Sequence, residues 1–295
     1  MTATGNAPVL VGVDGSPASV TAVEWASHTA ALHHRPLTLV HVLTPPAVMT
    51  FPETPMPAGY AEWQQEQGRR YLRDALTIAE GRLGADAAAR VTGETVLGST
   101  VPILEELSRD AAMLVVGSRG YGPLRRSLLG SVSSAVVRHA HCPVAVCHHD
   151  HQVSGSEQGP VVVGIDGSPV SEAATALAFE EASVRGAELV AIYAWQDTAV
   201  LDFPGIDAAA MQSDGELVLA ERLAGWQERY PDVTVHRVVV GDRPADQLIE
   251  QSRTARLVVV GSHGRGGFTG MLLGSVSRAV VQSAHAPVIV ARRTD

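Results

Sequence analysis

The chain is poor in cysteine and has no long apolar stretch. Its two cysteines, Cys142 and Cys147, are too few for a disulfide framework, which favours a reducing compartment. No apolar run approaches the roughly 20 residues that a helix needs to cross a bilayer. The N-terminus has neither the basic region nor the apolar core of a secretory signal. We therefore expect a cytoplasmic protein that does not bind membranes.

Positive charge and two common nucleotide-binding motifs are also missing. The formal net charge is -9, and basic residues cluster only in short pairs such as Arg125 and Arg126, so we expect no nucleic-acid partner. The chain contains no G-K-[ST] sequence, and the dinucleotide pattern G-x-G-x-x-G is not matched. A Walker loop and a dinucleotide fingerprint are therefore excluded.

A glycine-rich motif follows an apolar strand in each half of the chain. In residues 257–277, LVVVGSHGRGGFTGMLLGSVS, four apolar residues precede Gly261, and helical spacing begins after Ser275. Residues 113–133, MLVVGSRGYGPLRRSLLGSVS, carry their glycines at the same offsets. Strand, glycine loop and helix N-terminus together are typical of phosphate sites. The free N–H groups of the helix start face the anion, and glycine permits a close approach.

The two halves are similar well beyond this motif. The sequence DGSP at residues 14–17 recurs at 166–169, where the Ser-Pro pair predicts a helix N-cap and first helical residue. The block AHCPV at 140–144 recurs as AHAPV at 284–288. Such a repeat indicates duplication. We predict two domains, residues 1–150 and 151–295, with a linker at 150–159 that is rich in Ser, Gly and Gln.

Strands and helices alternate in both halves. This pattern predicts an α/β fold of two tandem flavodoxin-like (Rossmann-like) domains, each a five-stranded parallel sheet in the order 3-2-1-4-5 with helices on both faces. In that order the first and fourth strands are neighbours. The loop that contains Asp14 and the loop that contains Gly117 should therefore face each other across one crevice at the carboxyl ends of the strands.

The spacing G-x2-G-x9-G-[ST], present twice, resembles the nucleotide-binding signature of the universal stress protein family, in its tandem two-domain form from actinobacteria and mycobacteria. The resemblance covers nearly the whole chain. It implies an ATP-binding, nucleotide-sensing regulatory module of stress response or dormancy, with one ATP and Mg²⁺ in each domain. An unknown regulatory protein is then expected as a partner.

The candidate nucleotide-binding residues are Asp14, Val42, Gly117, Gly120, Gly130 and Ser131, with Asp166, Ala194, Gly261, Gly264, Gly274 and Ser275 in the second half. The glycines and serines would line the phosphate site. The resemblance implies that each aspartate contacts the nucleotide at the ribose or through a phosphate-bound metal ion, and that the main chain of Val42 or Ala194 contacts adenine. The alternatives are that the glycines only form turns, that the aspartates are ordinary turn residues and that the serines are helix N-caps.

Histidines and cysteines between residues 139 and 151 resemble a metal cluster. Cys142 and Cys147 flank a predicted strand, and their separation of five places them on opposite faces. The second half has Ala286 and Ala291 at these positions, so the repeat does not need thiols. We predict no metal site on protein ligands, with a zinc site as the alternative.

An enzyme and a scaffold are the alternative functions. A weak ATPase or phosphotransferase would need a basic clamp on the phosphates and a residue that orients water. Arg119, His263 and Arg265 could supply charge, but no acid other than Asp14 or Asp166 is placed by the motif. We therefore expect no catalytic residues and at most slow hydrolysis. The intact motifs in both halves argue against a scaffold that binds no nucleotide.

The last strand of each half, residues 144–148 and 288–291, lies at a sheet edge in the predicted order. Both strands are short and apolar, and a bare apolar edge must be paired or covered. We expect the two halves to pair through these strands, and two chains to associate as a homodimer.

Overall fold

The structure is a computed structural model that describes residues 7–45, 58–83, 90–120, 129–149, 158–194, 208–241, 243–264 and 273–292. The chain divides into two compact units, Met1–Cys142 and Pro143–Asp295. Within the described residues, no helix combines the length and apolar character needed to cross a membrane.

The first unit alternates strands with helices. Its elements are β1 (Val9–Gly12), α1 (Pro17–Leu32), β2 (Leu37–Leu43), α2 (Tyr60–Leu83), β3 (Val91–Leu97), α3 (Thr100–Leu107), β4 (Met113–Gly117) and α4 (Ser131–His139). The strands lie in the order β3-β2-β1-β4, and β1 pairs in parallel with both β2 and β4. This order places the ends of β1 and β4 side by side, as predicted.

The turn after β1 leads directly into a capped helix. Ser16 is the N-cap of α1, and its hydroxyl accepts a hydrogen bond of 3.2 Å from the N–H of Ser19. Pro17 is the first helical residue, where its missing N–H has no intrahelical partner to lose. A cap of this kind stabilises a helix by about 1 kcal/mol. The predicted start of α1 is confirmed, and it fixes the turn that contains Asp14.

The second unit contains the remaining elements. They are β5 (Val144–Cys147), β6 (Val161–Gly164), α5 (Pro169–Val184), β7 (Leu189–Ala194), α6 (Ala208–Leu223), α7 (Trp226–Arg229), β8 (Val235–Val240), α8 (Pro244–Gln251), β9 (Leu257–Gly261), α9 (Ser275–Ser283) and β10 (Val288–Ala291). The sheet order is β5-β10-β9-β6-β7-β8. The second repeat therefore has the predicted order 3-2-1-4-5, with all of its own pairings parallel.

Strand β5 belongs to the first repeat by sequence but is grouped with the second unit. It pairs antiparallel with β10, and Ala145 lies opposite Ile289. All residues of both strands are buried. The predicted pairing of the two last strands is confirmed, whereas the predicted domain boundary between residues 150 and 151 stays a prediction.

The long helix of the second repeat is interrupted. The apolar spacing of Leu219, Leu223, Trp226 and Tyr230 in the sequence predicts one continuous helix, but the chain forms two helices here. Helix α6 ends at Leu223, and α7 begins at Trp226 after Gly225, which has φ +79°. A left-handed residue cannot continue a right-handed helix, and glycine adopts this conformation without a steric penalty.

Both cysteines are buried, with 4% of Cys142 and none of Cys147 exposed. Burial raises the pKa of the Cys147 thiol, despite a weaker opposing effect of the Arg185 charge. In the described part of the chain, no three His, Cys, Asp or Glu residues come together as a metal-binding group. His151, the last histidine of the run that resembles a metal cluster, lies outside the described residues.

Candidate functional site

A cleft of about 770 Å³ opens in the first unit at the carboxyl ends of β1, β2 and β4. All six candidate residues of the first half line it: Asp14, Val42, Gly117, Gly120, Gly130 and Ser131. Small-molecule sites in proteins usually have volumes of roughly 300–1,000 Å³. The topology therefore brings the predicted residues into one cleft that is large enough for a nucleotide.

Asp14 occupies the tight turn between β1 and α1. Its Oδ1 accepts a hydrogen bond of 2.9 Å from the N–H of Ser16, while its own N–H donates to the hydroxyl of Ser19 at 3.2 Å. The turn role considered for this residue is therefore real. The other carboxylate oxygen, Oδ2, lies against Gly120 of the glycine loop. One oxygen thus stabilises the turn, and the second faces the loop that lines the cleft.

The glycines of the motif have packing reasons of their own. A Cβ at Gly120 would overlap Oδ2 of Asp14, and a Cβ at Gly117 would lie 2.7 Å from the carbonyl carbon of Ala18. Gly117 therefore allows the end of β4 to pack on the backbone of α1. These contacts require glycine even when no ligand is bound. The glycines alone therefore do not indicate an anion site, and the evidence for one comes from the helix start and the cleft.

Helix α4 begins at the cleft without a side-chain cap. Gly130 is its N-cap, with φ −69° and ψ 160°, and no hydrogen bond from a side chain caps the helix. The alternative that Ser131 is the N-cap is wrong, because Ser131 is the first helical residue. The first N–H groups of a helix have no intrahelical acceptor and carry partial positive charge. This end of α4 is therefore suited to an anion such as phosphate.

Apolar residues form the other walls of the cleft. Val40 and Val42 come from β2, Leu104 from α3 and Val116 from β4. Among these, only Val42 was a candidate. The apolar spacing of α3 could have indicated Leu104, but no signal in the sequence marks Thr100, which also lines the cleft. These walls suit a flat, weakly polar group.

His41 and Ser19 are further lining residues that the sequence did not indicate. The Nδ1 of His41 lies 2.7 Å from the carbonyl oxygen of Val13, so Nδ1 carries the donated proton. The rings of His41 and Tyr71 also form a T-shaped pair, with centroids 5.5 Å apart and an angle of 67° between the ring planes. These contacts connect the end of β2 to the residue that precedes Asp14.

The second unit repeats this local geometry. The N–H of Ser168 donates to Oδ1 of Asp166 at 2.9 Å, and a Cβ at Gly264 would overlap Oδ2 of the same residue. Gly274 is the N-cap of α9 without a side-chain hydrogen bond, so the N-cap role considered for Ser275 is also wrong. Gly261 ends β9 and packs on Val170 of α5, and Ala194 ends β7.

Among the described loop residues, each repeat has one basic or titratable side chain next to the second glycine of the motif. Arg119 lines the cleft of the first unit. His263 takes the same place in the second unit, and its Nδ1 lies 3.0 Å from the hydroxyl of Ser262. Arg265, which the sequence also suggested, lies outside the described residues.

Comparison with known proteins adds independent information. The model of the universal stress protein family matches the chain twice, over residues 6–148 and 159–292. The chain belongs to the universal stress protein family. Each matched segment contains one complete set of six candidate residues, so the chain has two universal stress protein domains in tandem.

Full-length relatives support the same assignment. A universal stress protein of Mycobacterium tuberculosis (strain H37Rv) is 55% identical over 287 residues, which cover 97% of each chain. One of Mycobacterium bovis is 50% identical over 305 residues, which cover 97% of this chain and 95% of the relative. A crystal structure of a universal stress protein from Archaeoglobus fulgidus superposes with a TM-score of 0.69 at 22% identity, over 99% of this chain and 100% of that one. This last similarity supports the fold.

Proposed function

We propose that each unit binds one ATP with Mg²⁺ and that the protein acts as a nucleotide-sensing regulatory module. The observation that supports this proposal is the cleft of the first unit, which both Asp14 and the uncapped start of α4 line. The phosphates would lie at the helix start, where free N–H groups favour an anion. The base would lie at the other end, near the main chain of Val42.

The apolar walls fit the base end of this arrangement. Val40, Leu104 and Val116 line the cleft from three different elements. Adenine has flat apolar faces and hydrogen-bonding edges, so apolar walls together with main-chain polar groups at the end of β2 suit it. Contacts through the main chain would explain why the second repeat can have Ala194 where the first has Val42.

A magnesium ion fits the charges of the proposed complex. Asp14 is the sole acidic residue among the described lining residues of the cleft. A carboxylate beside phosphates creates repulsion that a cation relieves, and Mg²⁺ is commonly held by one carboxylate together with phosphate oxygens. Asp14, and Asp166 in the second unit, would hold the ion, and its role would be to neutralise charge.

The same charges favour binding over turnover. Rapid hydrolysis requires a residue that orients the attacking water and cationic groups that stabilise the leaving phosphate. Asp14 already uses Oδ1 in the β1–α1 turn. We therefore infer slow or absent hydrolysis, and a role in a cytoplasmic signalling complex with a protein partner and a second copy of the chain.

Mass spectrometry of ligands released from the denatured, purified protein tests the proposal. ATP or ADP should be recovered from the wild type and lost from a double variant, Gly120→Ala with Gly264→Ala. A wild type that carries no adenine nucleotide, and binds none when it is added with Mg²⁺, would overturn the proposal.

A further inference from the structure

The first unit has a second cavity, of about 320 Å³, in the groove between α1 and α2. This volume lies at the lower end of the roughly 300–1,000 Å³ that small-molecule sites occupy. Val13 and Ser19 line both this cavity and the nucleotide cleft. Of the T-shaped aromatic pair, His41 lines the cleft and Tyr71 lines the cavity. The cavity is therefore a neighbour of the cleft, with walls of its own from α2.

Apolar side chains from both helices line this cavity. Val20 and Val23 come from α1, and Ile78 comes from α2. Val20 has 38% of its surface exposed, which is high for a large apolar residue of a helix that packs on a sheet. The ring of Tyr71 lies against Gly15 in the β1–α1 turn, where a Cβ would overlap it. Contact with a ligand would remove this apolar surface from water, so an aliphatic group is favoured here.

Two opposite charges border the cavity, one helical turn apart. Arg70 and Asp74 both line it and both are exposed, and neither forms a hydrogen bond or an ion pair within the described part of the chain. Residues four apart on a helix are neighbours, but a cation that precedes an anion is the less favourable order for pairing. Gln67 adds an amide that can donate and accept. The cavity thus offers a ligand one cation and one anion.

The second unit lacks this set of side chains. Gly68 of α2 and Gly215 of α6 are equivalent, because both are buried and each lies against a side chain of the second strand of its repeat. Counted from these glycines, Leu217, Val218 and Glu221 take the places of Arg70, Tyr71 and Asp74. The cation and the aromatic ring are therefore particular to the first unit, and the second repeat indicates which substitutions an α helix of this fold accepts.

We propose that this cavity is a binding site for a small zwitterion with an aliphatic group, which is the chemistry of a free aliphatic amino acid. The carboxylate of the ligand pairs with the guanidinium of Arg70, a group whose geometry suits two parallel hydrogen bonds to a carboxylate. The ammonium of the ligand pairs with Asp74. The aliphatic group lies on Val20, Val23 and Ile78. A zwitterion satisfies both protein charges at once, and the inference does not depend on ATP binding.

Titration of the full chain with L-leucine, followed by NMR of the protein amides, tests the proposal. L-Leucine should bind with a dissociation constant on the order of 1 mM, because so small a ligand gains little binding energy, and the amide signals of Gly15 and Ser19 should shift. 3-Methylbutanoate lacks the ammonium and 3-methylbutylamine lacks the carboxylate. Each should bind about three- to fivefold more weakly, as expected for the loss of one exposed ion pair. An absence of L-leucine binding at about 20 mM overturns the inference.

Two variants assign the two charges of the ligand. Arg70→Leu, which copies Leu217, should weaken L-leucine binding by about three- to fivefold without weakening that of 3-methylbutylamine, which has no carboxylate. Asp74→Asn should weaken L-leucine binding similarly without weakening that of 3-methylbutanoate. Arg73→Leu is the matched control, because it removes a cation of the same helix that pairs with Glu66, and it should change neither. L-Leucine binding that neither Arg70→Leu nor Asp74→Asn weakens overturns the inference.

Discussion

Gly120 lies against the carboxylate of Asp14 so closely that a Cβ at this glycine would overlap Oδ2 of the aspartate. Gly264 and Asp166 show the same relationship in the second unit. Neither glycine is among the residues with positive φ, so alanine fits the backbone of both. The contact with the carboxylate is therefore what a methyl group would disturb.

Gly120→Ala should displace the Asp14 carboxylate and lower the ATP affinity of the first site by about tenfold or more, equivalent to about 1.4 kcal/mol. Gly264→Ala should do the same to the second site. Stability should change little, because the displaced atom is the end of a side chain. Titration calorimetry should show one site lost in each variant, and an unchanged pair of sites in both would refute the proposed role of the aspartates.

Gly117→Ala should act on stability instead. Its Cβ would lie 2.7 Å from the carbonyl carbon of Ala18 and 2.8 Å from the nitrogen of Ser19, both of which are backbone atoms. We expect a loss of about 1–3 kcal/mol in the free energy of unfolding, as for other overpacked positions. Gly261→Ala should be milder, because its nearest neighbour is the Val170 side chain at 3.1 Å. Urea unfolding measures both variants. Equal free energies of unfolding for Gly117→Ala and Gly261→Ala would show that the contacts of these two glycines do not differ as described.

Among the residues that the structure describes, His34 is the one non-glycine residue with a positive φ, at 53°. It lies just after the end of α1. Gly186, with φ 55°, holds the equivalent position after α5. Because a side chain is strained in this conformation, His34→Gly should raise the free energy of unfolding by about 0.5–1 kcal/mol, and Gly186→His should lower it similarly. Thermal unfolding checks both changes. A less stable His34→Gly variant would show that the His34 side chain makes contacts worth more than the strain.

Cys147 should make stability fall in alkaline solution. Burial raises the pKa of its thiol in the folded state, whereas the unfolded chain ionises near pH 8.5. The folded-state pKa lies above the unfolded one. The contribution of the protonated thiol to the free energy of unfolding is therefore complete below about pH 8.5 and declines above it, by up to about 1.4 kcal/mol per pH unit. Cys147→Ala, which copies Ala291 of the second repeat, should reduce that slope. The free energy of unfolding is measured under reducing conditions for the wild type and for Cys147→Ala. If it falls equally with rising pH in both proteins, the prediction is wrong.

Hydrolysis of ATP should be slow. Asp14 is the sole acidic residue among the described residues that line the cleft, and its Oδ1 already accepts a hydrogen bond from the N–H of Ser16 in the turn. Phosphate release at saturating ATP should stay below about 1 per second, the lower end of the usual enzyme range. The double variant Gly120→Ala with Gly264→Ala corrects for contaminating ATPases. A wild-type rate of about 1–1,000 per second that is lost in the double variant would show that the protein is an enzyme.

The sequence predicted the features that depend on pattern and topology. Apolar strands separated by helices determine the sheet order, and that order alone brings Asp14 next to the glycine loop. The Ser-Pro pair that begins α1 is a local signal, because the capping hydrogen bond spans three residues. Two matched copies of the glycine spacing identified the same positions in both units.

Features that depend on tertiary contacts could not be predicted. The sequence predicts that Gly117 lines the nucleotide site, but it gives no sign of the packing of Gly117 on α1, which depends on how two distant segments meet. Glu181 and Arg185 form an i,i+4 pair at 2.8 Å that the sequence pattern would place on a helix surface, yet they are almost fully buried. Periodicity also missed the end of α6, because the conformation of Gly225 outweighs the apolar spacing.

Equilibrium titration of the full chain, freed of co-purified nucleotide, with ATP and Mg²⁺ measures how many nucleotides each chain binds. We expect two ATP molecules per chain, reduced to one in Gly120→Ala and to one in Gly264→Ala. No detectable binding, or a stoichiometry that neither substitution changes, would contradict it.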